Sequence, residues 1–268
     1  MLLLANEDTK INVVDSSFKF LNAPDYNTML DTVETAYRNC YKSENNKDTV
    51  ETFIKTKLNA GHESPIEHCV ISVIMTVDRG VSHELVRHRI ASYSQSSTRY
   101  CNYSKDKFGH CVTYVKPTFL SDDTIGEWNC SNFNKEFGGY VSNEGFFVES
   151  CLSNADDYFS ALKMNWKPEQ ARAFLMNALA TDVVVTMNIR SWRHFFELRT
   201  LGITGRPHPD MFKISKDMLI SFAKEYPVFF GDLLEKINRE REKLTYMENK
   251  KEWVNHPTHY QSKNGMEV

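Results

Sequence analysis

Long apolar runs are missing from this 268-residue sequence. None approaches the roughly 18 consecutive apolar residues that a membrane span needs. The opening "MLLLANEDTK" has an apolar stretch too short for a signal peptide, and acidic residues follow it. A cytoplasmic protein with no membrane partner is therefore expected. A basic excess is missing too. Lys and Arg number 32 against 35 Asp and Glu, a net charge of −3, which speaks against a general nucleic-acid binder. The six cysteines, at 40, 69, 101, 111, 130 and 151, contain no C-x-x-C pair. That excludes a zinc ribbon or a thioredoxin-type site and points to reduced thiols. No G-x-G-x-x-G occurs, so a dinucleotide would not be held Rossmann-style. No internal repeat is present. What remains is a globular composition, 41% hydrophobic and 25% charged, in a chain long enough for one large domain or two small ones.

Alternation and turn residues lay out the elements. "KINVV" (10–14), "CVISVIMTV" (69–77), "CVTYV" (111–115) and "TDVVVTMN" (181–188) read as strands. Residues 26–41, 49–58, 144–164, 167–179 and 189–200 read as helices, and 215–247 as one or two more, interrupted near Pro227. "SPIEH" (64–68) has the spacing of a capping box with Pro at the first helical position. Ser82 is placed to cap a short helix from His83 to about Arg89, followed by a polar loop, "IASYSQSS". Residues 120–143, rich in Gly, Asn and Ser, read as a surface insertion. A Gly/Pro elbow, "LGITGRPHPD", ends the 189–200 helix.

The densest chemistry lies in "SHELVRHRIASYSQSSTRY" (82–100). His83 and His88 are five apart, about 140° around a helix, so they cannot share one zinc ion as the H-E-x-x-H pair does. No metal site is expected, and a metal-dependent hydrolase is set aside. Arg87, Arg89 and Arg99 alternate instead with Ser92, Ser94, Ser96 and Ser97. Guanidinium forks suit phosphates and planar carbonyl groups, and hydroxyls add donors. A second group, Arg172, Arg190, Arg193 and Arg199, follows in "ARAFLMNAL" and "NIRSWRHFFELR". Arg190 and His194 are four apart and share a helix face. Asn188 can cap that helix or bind a ligand. Two such groups in an acidic chain imply a local positive basin for a phosphorylated small molecule.

The order of these residues resembles a known family. Arg87-His88-Arg89, Ser92, Ser97 and Arg99 match R-H-R-x-x-S-x-x-x-x-S-x-R, the signature of the flavin-dependent thymidylate synthases. "GHESPIEH" (61–68) and the block 171–199 resemble the segments flanking that signature, so the likeness runs from about residue 10 to 245. It implies an α+β fold, a single domain over 1–247 with a mixed or antiparallel sheet packed by helices, assembled as a homotetramer with shared active sites. The implied reaction is methylation of dUMP to dTMP. Methylenetetrahydrofolate is the methylene donor, and FAD, reduced by NADPH, supplies the hydride. By position, Glu84, Leu85, Val86, Arg87, Gln95, Ser96, Ser97, Thr98, Arg99, Arg172 and Arg199 fall at dUMP contacts, with Arg199 in the catalytic position. Ser64, Arg87, His88, Arg89, Gln95, Asn188, Ile189, Arg190 and His194 fall at FAD contacts. His62 and Tyr100 fall near folate and flavin.

Three residues depart from the common pattern: Glu84 and Gln95 stand where many members have Gln and Glu, and His194 replaces a common Asn. The elbow before His208 is longer than is usual, so His208 is not carried into the flavin set. The competing reading is a nucleotide- or flavin-binding protein of the same fold without catalysis. The polar tail, 248–268, contains His256-Pro257 and His259 and resembles the opening of a small phage-type domain.

Overall fold

The computed structural model describes residues 2–4, 9–42, 49–120, 133–134, 139–140 and 143–249. Most of the expected insertion and nearly all of the tail lie outside them. The first half contains β1 (Leu2–Leu4), β2 (Lys10–Val14), β3 (Ser17–Asn22), α1 (Tyr26–Tyr41), α2 (Val50–Asn59), β4 (Val70–Asp78), α3 (Arg79–Leu85), β5 (Ser92–Gln95) and β6 (Cys111–Val115). Then come the short pair β7 (Phe133–Asn134) and β8 (Gly139–Tyr140), followed by α4 (Asn143–Lys163), α5 (Pro168–Ala171), β9 (Ala180–Asn188), α6 (Ile189–Arg199), α7 (Pro209–Glu225) and α8 (Pro227–Asn249). This is the α+β architecture that the sequence implies.

The central sheet has the order β3-β4-β9-β5 and is antiparallel throughout. A second sheet, β1-β2-β6, includes the parallel pair β2–β6. β4 and β9 are the long central strands, in register from Val70↔Asn188 to Asp78↔Ala180. Their alternate residues Ile71, Val73, Met75 and Val77, and Val183, Val185 and Met187, are buried. Period-2 burial of β-branched side chains on one face is what makes these segments strands.

Each central strand runs straight into a helix through a side-chain cap. Asp78 Oδ1 accepts the Val81 amide at 2.8 Å, and Asn188 Oδ1 accepts the Ser191 amide at 2.8 Å. Because the strands are antiparallel, the two helices start from opposite ends of the sheet. α6 buries Trp192, Phe195 and Phe196 against the sheet and against Phe222, Phe229 and Phe230 of α7 and α8. Trp192 Nε1 donates to the Ile71 carbonyl at 3.0 Å. A second core forms where Val148, Cys151, Leu152, Ala155 and Tyr158 of α4 meet β2 and β6.

Four local expectations are corrected. The helix expected over 83–89 begins at Arg79, because Asp78, at the strand end, satisfies its first amides; Ser82 is buried and donates to the Arg79 carbonyl. The supposed loop at 92–95 is strand β5, paired with the free edge of β9; edge pairing overrides the loop preference of serine. The 64–68 segment is a 3-10 turn without a side-chain cap. The helix expected over 167–179 stops at Ala171, with one 3-10 turn to Phe174. Beyond it the chain gives its carbonyls elsewhere: Asn177 O to the Arg79 amide and Ala178 O to the Val115 amide. The elbow after α6 needs glycine at 202, where φ is +66° and a Cβ would lie 3.1 Å from the Gly205 carbonyl oxygen.

Candidate active site

A groove of about 690 Å³ opens between the 63–67 turn, the segment after α3 and the outer face of α6. Arg87, His88, Arg89, Asn188, Arg190, His194 and Arg199 all line it. The sequence had assigned the first six to the flavin. The groove therefore collects residues more than 110 positions apart in the chain.

Arg199, the last residue of α6, is held on all three guanidinium nitrogens. Nε donates to His88 Nε2 at 3.1 Å, Nη1 to Glu84 Oε2 at 2.9 Å, and Nη2 lies 3.5 Å from the Glu84 carbonyl. Its own carbonyl accepts from the buried Ser215 hydroxyl at 2.9 Å. Burial first, then the charges of Arg199 and His194, push the His88 imidazole down to about 4. At neutral pH the ring is uncharged, so Nε2 can accept. The Phe195 ring packs edge-on against it, 5.0 Å between centroids. The Tyr93 hydroxyl lies 2.9 Å from the Leu85 carbonyl and 2.7 Å from that of His88, pinning the Arg87–Arg89 turn to β5.

The groove also contains acids that the sequence reading did not assign. Arg190 Nη1 donates to Glu67 at 2.6 Å, and Nε lies 3.4 Å from Glu63. In the sequence Glu67 reads only as the end of a capping box. Arg193, in contrast, is structural. It is buried, forms a two-pronged pair with Asp232 at 2.7 and 2.8 Å, and donates to the Phe229 carbonyl. Its carboxylate partner is not legible locally, because Asp232 lies 39 residues away.

The remaining assigned residues lie outside the groove lining. Leu85 and Ile189 have side chains in the core, leaving only their backbones to a ligand. Val86 and Tyr100 are exposed, and Ser64 starts the 3-10 turn. The His62 carbonyl accepts from the Tyr37 hydroxyl. Gln95 donates to Ser82 Oγ at 2.9 Å and Thr181 Oγ1 at 3.2 Å. Thr98 Oγ1 accepts from Arg172 at 3.2 Å, Arg99 lies 3.8 Å from Glu169, and Ser97 Oγ accepts the Arg99 amide at 3.3 Å. The Ser96 amide donates to the Asp182 carbonyl. That point is six residues, or about 20 Å of strand, from Asn188. Within this chain the assigned residues are thus strung along β9 rather than gathered at a point. Among the described residues no cluster of His, Cys, Asp and Glu could hold a metal ion, and no helix is long and apolar enough to cross a membrane.

The family model described as "Thymidylate synthase complementing protein" matches residues 25–228. This chain belongs to the flavin-dependent thymidylate synthase family. A flavin-dependent thymidylate synthase of Nitratidesulfovibrio vulgaris is 33% identical over 178 residues, 61% of this chain and 66% of that relative. The Mycobacterium avium enzyme of the same name is 29% identical, covering 75% of this chain and 78% of the relative. That of Sulfolobus acidocaldarius is 32% identical, covering 72% and 73%. Among solved structures, the UMP/dUMP methylase PolB from Streptomyces cacaoi, bound with 5-Br dUMP, superposes with a TM-score of 0.62 at 20% identity. The superposition covers 82% of this chain and 96% of that one, and it establishes a shared fold. The family's R-H-R signature here forms one wall of the groove, and its distal arginine block forms the facing wall.

Proposed function

We propose that this protein is a flavin-dependent thymidylate synthase that methylates dUMP at C5, with methylenetetrahydrofolate as methylene donor, FAD as the flavin and NADPH as reductant. The observation that carries the reading is Arg199, a guanidinium held on every nitrogen at the edge of an arginine-lined groove.

The donor set fits a flavin dinucleotide. Arg87, Arg89 and Arg190 present guanidinium groups suited to a pyrophosphate. The volume is in the range of cofactor clefts. The walls include the imidazoles of His88 and His194, whose ring centroids lie 6.5 Å apart. When bound and reduced, the flavin supplies the hydride that completes the methyl group.

The chain's own residues do the rest. Adding a one-carbon unit at C5 requires negative charge on the pyrimidine ring. A fixed cation at the ring carbonyl and N3 stabilises that charge without reorganising as it develops. Arg199 fills this role, with one N–H on each terminal nitrogen beyond those given to Glu84. Neutral His88 holds the guanidinium without adding a competing charge. Arg99 and Arg172, joined through Thr98, form a second cationic patch for the nucleotide phosphate. The ~20 Å of strand between Asp182, bonded to Ser96 at the start of the segment that carries Arg99, and Asn188 fits a homotetramer in which one protomer supplies the patch and another the groove. The protein acts in the cytoplasm.

The test is direct. Purified protein incubated with dUMP, methylenetetrahydrofolate, FAD and NADPH should form dTMP, followed by chromatography. It should also take up FAD, with flavin released on denaturation. A protein that binds FAD but forms no dTMP would be a binding protein of this fold instead. One that binds neither FAD nor dUMP would overturn the reading altogether.

A further inference from the structure

We propose that Glu84 is the positioning residue for Arg199 and touches the nucleotide only through it. The proposal rests on the reading of Arg199 as the cation facing the pyrimidine.

Glu84 holds the guanidinium twice, with its carboxylate at Nη1 and its carbonyl near Nη2. The carbonyl is available because Glu84 stands in the last turn of α3, where carbonyls lose their intrahelical partners. It accepts the Arg87 amide at 3.2 Å as well. α3 is itself anchored: Asp78 caps its start, Ser82 is buried within it, and Leu85 is fully buried beside Glu84. The grip on Arg199 is therefore tied to the sheet. At the other end, Ser215 holds the Arg199 backbone.

A direct phosphate contact by Glu84 is chemically disfavoured. Its carboxylate is committed to Arg199, and Glu84 also lines a separate cavity of about 330 Å³ together with Asp78 and Asp210. An anion entering there would meet three carboxylates. A carboxylate 2.9 Å from Arg199 reduces the cation's outward field. In return it removes the rotational freedom of a long side chain, and a preorganised donor is worth more than a mobile one.

Two variants and two readouts test this. Glu84→Ala should lower kcat for dTMP formation by about 10²-fold, the usual cost of a misplaced reacting group, with a smaller change in the KM for dUMP. Glu84→Gln keeps an oxygen acceptor in place and should recover to within about 10-fold of wild type. The second readout needs no turnover. Phenylglyoxal modification of Arg199, followed by peptide mass spectrometry, should be slower than that of exposed Arg190 in the native protein. It should speed up several-fold in Glu84→Ala, and less in Glu84→Gln. Circular dichroism on each variant controls for folding. Unchanged Arg199 reactivity in folded Glu84→Ala would overturn the positioning role, and so would a kcat within threefold of wild type. If wild type makes no dTMP yet Glu84→Ala unmasks Arg199, the positioning role stands and the proposed reaction fails.

Discussion

The Arg190 guanidinium donates to Glu67 at 2.6 Å, so an arginine assigned to the flavin is held by a carboxylate of the neighbouring 64–68 turn. Any phosphate reaching Arg190 must displace or share that partner. Glu67→Gln should therefore tighten FAD binding, by several-fold, given the modest worth of an exposed ion pair. Flavin fluorescence quenching gives the Kd directly. Weaker binding by Glu67→Gln would show instead that Glu67 orients Arg190 for the ligand.

The His88 imidazole, pushed down to about 4, makes a pH prediction. Between about 6.5, the ordinary value for histidine, and 4, the unfolded chain holds a proton that the folded ring refuses. Stability then rises with pH through this window. The contribution is fully present above about 6.5 and is lost as pH falls through 4. Denaturant midpoints measured from pH 7 to pH 4 should fall in wild type more than in His88→Gln. An NMR titration placing the His88 midpoint near 6.5 would contradict the assigned burial.

Ser97 and Arg199 should differ sharply. Ser97 Oγ is engaged locally as an acceptor from the Arg99 amide, and among the described residues no base is hydrogen-bonded to it to activate it as a nucleophile. Ser97→Ala should retain measurable dTMP synthesis. Arg199→Ala should lose about 10²- to 10³-fold, the usual cost of one charge-stabilising donor, while still binding FAD. A covalent uridylate–Ser97 adduct seen by mass spectrometry would reverse these roles.

Composite sites predict complementation. Arg172→Ala and Arg199→Ala proteins, one altered in the patch and one in the groove, should regain part of their activity after subunit exchange. Labelled subunits that demonstrably mix without any recovery would count against sharing.

The Arg193–Asp232 pair predicts a stability effect away from the chemistry. Removing Asp232, itself partly exposed, leaves the buried Arg193 charge with one partner fewer, typically at about 1–3 kcal/mol. Asp232→Ala should shift the urea midpoint accordingly. Desolvation opposes ionisation of Asp232, but its bonds to Arg193 outweigh that and hold its carboxyl below the usual range. This part of the stability is present above the ordinary carboxylate pKa and is lost as pH falls through the lower folded value.

The strongest elements were legible locally. β4 and β9 carry runs of β-branched residues, and α6 places Trp192, Phe195 and Phe196 on one face and Arg190 and His194 on the other. The R-H-R-x-x-S-x-x-x-x-S-x-R spacing over 87–99, with the flanking blocks at 61–68 and 171–199, likewise carries the resemblance to the family. These features depend on the period of a strand or helix, which neighbouring residues encode. The pairings were another matter. Nothing within reach of Glu84 in the chain announces Arg199, 115 residues on. Ser92 and Ser94 do not reveal that a free edge of β9 awaits them. Arg190 and Arg193 look alike in "NIRSWRHFF", yet one is exposed along the groove and the other is buried beneath it against Asp232. Residues three apart on a helix lie about 60° off one face, so packing alone sorts them. The sequence by itself determined which residues could supply positive charge and flat surfaces. Only the tertiary structure, through strand register and the seating of α6, decided which cation faces the groove and which carboxylate holds it.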